Sequence, residues 1–221
     1  MTGDGIARAG VARAGHPVPS GSTMNPAHSS QVPTPEAAVA VTQAWVRKAV
    51  IGLNLCPFAK AVESRGRVRY AVSVAHDDDA LVADLEREIR RLLAEPAATL
   101  GTTLLIHPWA LVDFADFNQF LDVADALLAA LDCVGEVQVA SFHPHYRFAG
   151  TADDDITNRS NRSPYPTLHL LREASIAGVV ATFPDAADIY RRNIETLRRL
   201  GHAGWDALGL DVDAPVPEDR R

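Results

Sequence analysis

Apolar and polar positions recur along this chain in two rhythms, and together they mark out most of its elements. A rhythm of three and four begins at Thr34-Pro35-Glu36, where a capping hydroxyl, a proline suited to the first helical position and a first-turn acid stand together. A helix is expected from there to about Ile51, with Val39, Val46, Val50 and Leu53 along one side and Gly52 at its end. The rhythm then shortens to two. Residues 68 to 75 (VRYAVSVA) alternate and are rich in β-branched side chains, which predicts a strand.

Asp77 to Asp79 can cap a second helix whose stripe is Leu81, Leu85, Ile89 and Leu92. A second strand is expected over about 102 to 107 (TTLLIH), followed by an amphipathic helix from about Asp113 to Leu131. Its apolar positions are Phe114, Phe117, Leu121, Ala124, Leu128 and Leu131. A third strand spans about 136 to 143, and residues 167 to 172 (TLHLLR) suit a fourth strand better than the start of a helix. A last helix runs from about Asp185 to Leu200, with Ile189, Tyr190, Ile194, Leu197 and Leu200 on one stripe. Strand, helix, strand, helix, strand is the order of right-handed crossovers, so the fold class is α/β with a small, mainly parallel sheet.

Outside this pattern the rhythm fails. Residues 1–33 are rich in Gly, Ala, Pro and Ser and predict a disordered extension, with Met24 near its end as an alternative translation start. Residues 211–221 read as a flexible tail, which leaves 34–210 as one α/β domain. Between His143 and Thr167 lies a long stretch with no element, crowded with hydrogen-bonding side chains. A connection of that length in a compact domain is expected to be an ordered functional loop.

Composition narrows the function classes. The net charge of −7 disfavours general nucleic-acid binding. No run of 18 apolar residues occurs, so no membrane span is expected. Two cysteines form no disulfide framework, and the first residues lack a secretory apolar core, so a reducing cytoplasm is the expected location. There is no P-loop, G-x-G-x-x-G, C-x-x-C, H-E-x-x-H or G-x-S-x-G. Nucleotide-cofactor chemistry and the familiar zinc-protease and serine-hydrolase mechanisms are therefore disfavoured.

The candidate chemistry gathers late in the chain. The second and third strands both end in His-Pro, at His107 and His143, and ligands of open α/β sheets bind beyond strand C-termini. The loop carries Asn158-Arg159-Ser160-Asn161-Arg162-Ser163-Pro164-Tyr165, whose guanidinium forks match a carboxylate or phosphate. Arg159, Asn161, Arg162, Ser163 and Tyr165 are the expected anion binders, with Asp153, Asp154 and Asp155 upstream as internal partners for the arginines. His143, His107, His169, Glu173 and Tyr146 are candidate acid/base groups, His169 and Glu173 being four apart and able to form a base and its orienter. His107, His143 and His169 also form a candidate divalent-metal set, although no tight ligand spacing exists. Cys56 is reactive only if it starts a short helix with Pro57 at the first position; at the end of the first helix the dipole suppresses the thiolate. Asn193, an amide on an apolar stripe, needs a partner if buried.

Several long segments together resemble a bacterial family catalogued as domain of unknown function 1415 (DUF1415). They are AVIGLNLCPFAKAV at 49–62, TTLLIHP at 102–108, QVASFHPHYRFAGT at 138–151, TNRSNRSPYPTLHLLREASI at 157–176 and IYRRNIETLRRLGHAGW at 189–205. The resemblance covers essentially all of 36–209, implies a bacterial, non-secreted protein, and brings no established activity. His145 stands where relatives are expected to carry an acid, which weighs against any metal scheme through His145. Three functions follow as alternatives: an enzyme acting on a small anionic metabolite, a metal-binding protein, and a non-catalytic binding module. Oligomeric state is open.

Overall fold

The computed structural model describes residues 33–175 and 186–210. The expected N-terminal extension, all but its last residue, and the expected tail lie outside these. Helix α1 (Pro35–Trp45) starts where Thr34 Oγ1 accepts the N–H of Ala37 at 3.2 Å. It continues as a π-helical turn over Val46–Ile51, with Gly52 donating to Arg47 and Leu55 to Val50. After the short α2 (Ala59–Glu63) come β1 (Val68–Val72), α3 (Asp78–Ala94), β2 (Thr102–Ile106), α4 (Phe114–Ala130), β3 (Val137–Phe142), β4 (Thr167–Arg172) and α5 (Ala186–Asp206). Asp77 and Asp113 cap α3 and α4 through Oδ1. Gly201 breaks α5 with a φ of 64°, a conformation that a residue without Cβ adopts freely.

The chain is α/β, and among the described residues four strands follow the order β1-β2-β4-β3. The sheet is mixed rather than mainly parallel. Only β1 and β2 pair in parallel; β4 pairs antiparallel with both β2 and β3. The three expected strands do run in one direction, but β4 returns between the second and third. The long loop makes this possible, because it carries the chain from the end of β3 back to the same edge.

The two faces of the sheet bury different helices. Arg69, Ala71, Leu105, Leu168, Leu170 and Val137 face α3 and α4, where Leu81, Leu85, Ile89, Leu92 and Phe117 are fully buried. The opposite face presents Tyr70, Leu104 and Phe142 to Trp45, Val46, Leu197 and Trp205 from α1, the π turn and α5. Arg172 closes the C-terminal end of α3 by donating to the carbonyls of Leu92 and Glu95 and, from β4, to Leu100. Among the described residues no helix is long and apolar enough to cross a membrane.

Candidate functional site

His107 and His143 follow β2 and β3, and the parity of the sheet turns both rings toward α4. They flank Phe117, with ring centroids 5.8 and 5.1 Å from it. Both side chains are fully buried and held by main chain. His107 Nδ1 lies 3.0 Å from the Ala110 carbonyl, so the hydrogen is assigned to that nitrogen. Its Nε2 is buried with no hydrogen-bond partner among the described residues. His143 Nδ1 accepts the N–H of His145 at 3.0 Å, so Nε2 carries the hydrogen and donates to the Leu111 carbonyl at 3.2 Å. Burial pulls both imidazoles down to a pKa of about 4.

These rings are therefore neutral braces at neutral pH. His143 ties the loop before α4 to the turn after β3. Leu111, whose carbonyl it holds, has a φ of 53°, an uncommon conformation for a side chain of this size.

His169 does not join them. It sits opposite Leu104 and Ala140 in the middle of β4, on the α1/α5 face of the sheet. Its Nε2 lies 2.8 Å from Thr102 Oγ1, which itself donates to the Leu170 carbonyl, so His169 donates to the hydroxyl. Burial lowers this ring to a pKa of about 4 as well. Glu173 lies past the strand end and donates its N–H to the Glu136 carbonyl. The three imidazoles thus occupy two faces of the sheet. Among the described residues no group of three or more His, Cys, Asp or Glu side chains is placed to hold a metal.

The loop after His143 is ordered by its own side chains. Asn158 is fully buried; its Oδ1 accepts from the Phe148 N–H and the Thr151 hydroxyl, and its Nδ2 donates to the Ala152 carbonyl at 2.8 Å. Asp155 caps a 3-10 segment over Ile156–Ser160, and its two bonds from Thr157 hold its carboxyl below the usual range. Asn161 Nδ2 donates to the Ser141 carbonyl, while its own carbonyl accepts the His143 N–H. Ser163 is buried and donates to the Tyr165 carbonyl at 2.6 Å. The Tyr165 ring packs on Ala38 and Ile106. Tyr146 is buried against Phe114 and Phe148, and burial raises its phenol. Asn161, Ser163, Tyr165 and Tyr146 build the loop, and none of them lines the cleft beside it.

An open cleft of about 660 Å³ lies beside this loop. The start of α4 contributes Asp113, Phe114 and Ala115; the loop contributes His145, Arg147, Asp153, Asp154, Arg159 and Arg162; α5 adds His202. Arg162 is oriented by two carbonyls, Tyr146 at 3.0 Å from Nε and Asp153 at 2.6 Å from Nη2. Neither bond neutralises its charge, and among the described residues Nη1 makes no hydrogen bond, which leaves donors for a further anion contact. Burial lowers its pKa, Arg159 lowers it further and Asp153 opposes them, yet a guanidinium stays charged at any physiological pH. Arg159 stacks over the Trp205 ring at 5.4 Å. Arg147 is paired with the Asp153 carboxylate at 2.7 Å.

Of the expected site residues, Arg159 and Arg162 reach the cleft. His145, Arg147 and His202 were absent from the expected anion-binding and acid/base sets. His145 and Arg147 flank the buried Tyr146, so the sequence His-Tyr-Arg carried an outward-inward-outward signal. His202 follows the glycine that breaks α5, and nothing nearby in the sequence points to the loop.

Cys56 lies in the turn between the π segment and α2, three residues before Ala59. Burial raises its thiol, which outweighs the backbone N–H groups of Phe58 and Ala59. Neither helix terminus activates it. Asn193 finds its partner there, donating to the Leu55 carbonyl at 2.9 Å.

Comparison with known proteins found no matching curated protein and no matching solved structure. A family model described as Protein of unknown function (DUF1415) matches residues 37–207, a span that includes all four strands, the loop and its cleft, and the chain belongs to that family.

Proposed function

We propose that the protein is an enzyme acting on a small anionic metabolite held in the cleft between α4 and the 145–162 loop. Arg162 is the anchor, assisted by Arg159 and Arg147. What carries this is the convergence of three guanidiniums and two imidazoles on one cavity in a chain whose net charge is −7. An acidic surface repels a polyanion, and a local cationic cleft admits a small one. A carboxylate or phosphate suits the fork of Arg162.

General acid/base work falls to His145 and His202, the imidazoles that line the cavity. His107 and His143 act behind them as positioning residues. A non-catalytic binding module is the second reading, favoured by the fact that His107, His143 and His169 are all engaged by the chain's own groups.

Sulfate and phosphate should raise the melting temperature of the native protein, and Arg162→Lys and Arg162→Ala should abolish that shift while remaining folded by circular dichroism. A shift of undiminished size in both folded variants would remove the anion site. To separate enzyme from binder, purified protein is incubated with the acidic metabolite fraction of a cell extract and followed by mass spectrometry. Consumption of one species, lost in His145→Gln/His202→Gln with sulfate binding retained, supports catalysis; retention without consumption supports the binding module.

A further inference from the structure

The cleft contains as many carboxylates as guanidiniums. Asp113, Asp153 and Asp154 line it alongside Arg147, Arg159 and Arg162. For a site built only to hold an anion, carboxylates in the lining are a repulsive element and need another reason to be present. Two of the three have one. Asp113 Oδ1 accepts the N–H groups of Ala115 and Asp116 at 2.7 and 3.2 Å and so caps α4. Asp153 Oδ1 takes Arg147.

Asp154 is different. It is exposed on the cavity side of the loop, and among the described residues its carboxylate makes no hydrogen bond or ion pair. It shares a cavity with three guanidiniums and engages none of them.

Building on the anion-binding reading above, we infer that the ligand of this cleft is a small zwitterion, whose carboxylate or phosphate meets Arg162 and whose ammonium group meets Asp154. The mixed lining then has a single explanation. Arg162 is fixed by main-chain carbonyls and supplies the positive anchor, while Asp154 supplies the opposite charge on the same lining. The compact distribution of both signs excludes a long polyanion and disfavours a simple anion relative to its amine-bearing analogue. No bond is made or broken in this recognition.

Isothermal titration of the full chain at low ionic strength tests it with two isosteric pairs. O-phosphoethanolamine is compared with propyl phosphate, and β-alanine with butyrate; in each pair a methyl replaces the ammonium. In at least one pair the amine should bind between about two- and fivefold tighter, the range of an ion pair at an exposed site. Asp154→Asn should erase that preference, weakening the amine and tightening the isostere, whereas Arg162→Lys should weaken both members. If amine and isostere bind equally, or the isostere binds better, the zwitterion is excluded and the anion site stands. A preference that survives Asp154→Asn removes Asp154 from the assignment and overturns the inference. If neither pair binds at millimolar concentration and sulfate also fails to stabilise the protein, the anion reading falls and the zwitterion falls with it.

Discussion

A buried imidazole that is neutral in the fold and charged when unfolded makes stability depend on pH. His107, His143 and His169 have folded pKa values of about 4, against about 6.5 in an unfolded chain. Between those values the unfolded state binds more protons, so stability rises with pH across this window and is lost as pH falls from about 6.5 to about 4. Each ring contributes at most about 3.4 kcal/mol to that loss, and the partly buried His169 less than His107 or His143. Urea denaturation at neutral pH and at successive steps toward pH 4 should show it, and His107→Gln should make the slope shallower. An unchanged slope in that variant would mean that this ring keeps its proton in the native protein. The two His-Pro strand ends were legible as a matched pair. Their partners were not, because the acceptors are the carbonyls of Ala110 and Leu111, and a main-chain atom leaves no mark in the residue type.

At the level of elements, local chemistry was readable wherever it acts within a few residues. Thr34, Asp77 and Asp113 cap the helices that the apolar stripes predict, and all four strands fall where alternation or β-branching puts them. The pairing of β4 was not readable. β2 is buried at all five positions, so no polar face tells which neighbour it has or which side His169 takes. The loop was legible as an ordered stretch of hydrogen-bonding side chains, but not its inner clamp at Asn158. Replacing that residue by Ala leaves the Phe148 N–H without its acceptor, while the Ala152 carbonyl keeps only the Asp155 N–H. The expected loss is about 1–3 kcal/mol, the cost of one orphaned donor. Hydrogen exchange should quicken in residues 147–155 before it changes in β2 or β4. Uniform acceleration across the sheet would instead make the loop part of one cooperative unit.

Across the whole molecule, the last helix decides how tightly the cleft is held. Trp205 is 2% exposed, shares a core with Trp45, Leu104 and Leu197, and carries Arg159 over its ring. Lys48 in the π turn binds the chain just beyond by donating to the Leu208 carbonyl at 2.9 Å. Trp205→Ala should destabilise by about 3–5 kcal/mol, the usual range for a large aromatic removed from a core. It should also weaken sulfate binding, because Arg159 loses its platform; chemical denaturation and titration read the two effects separately. Retained affinity in a folded Trp205→Ala variant would show that Arg159 is positioned by other contacts.

Arg162 takes its direction from the carbonyls of Tyr146 and Asp153, atoms that every amino acid possesses. Side chains at 146 and 153 can therefore be exchanged without redirecting the guanidinium, provided the backbone path survives. On the proposed anion-binding reading, substitutions at 147, 153 and 154 would change which small molecules the cleft admits and would leave the direction of the anchor intact.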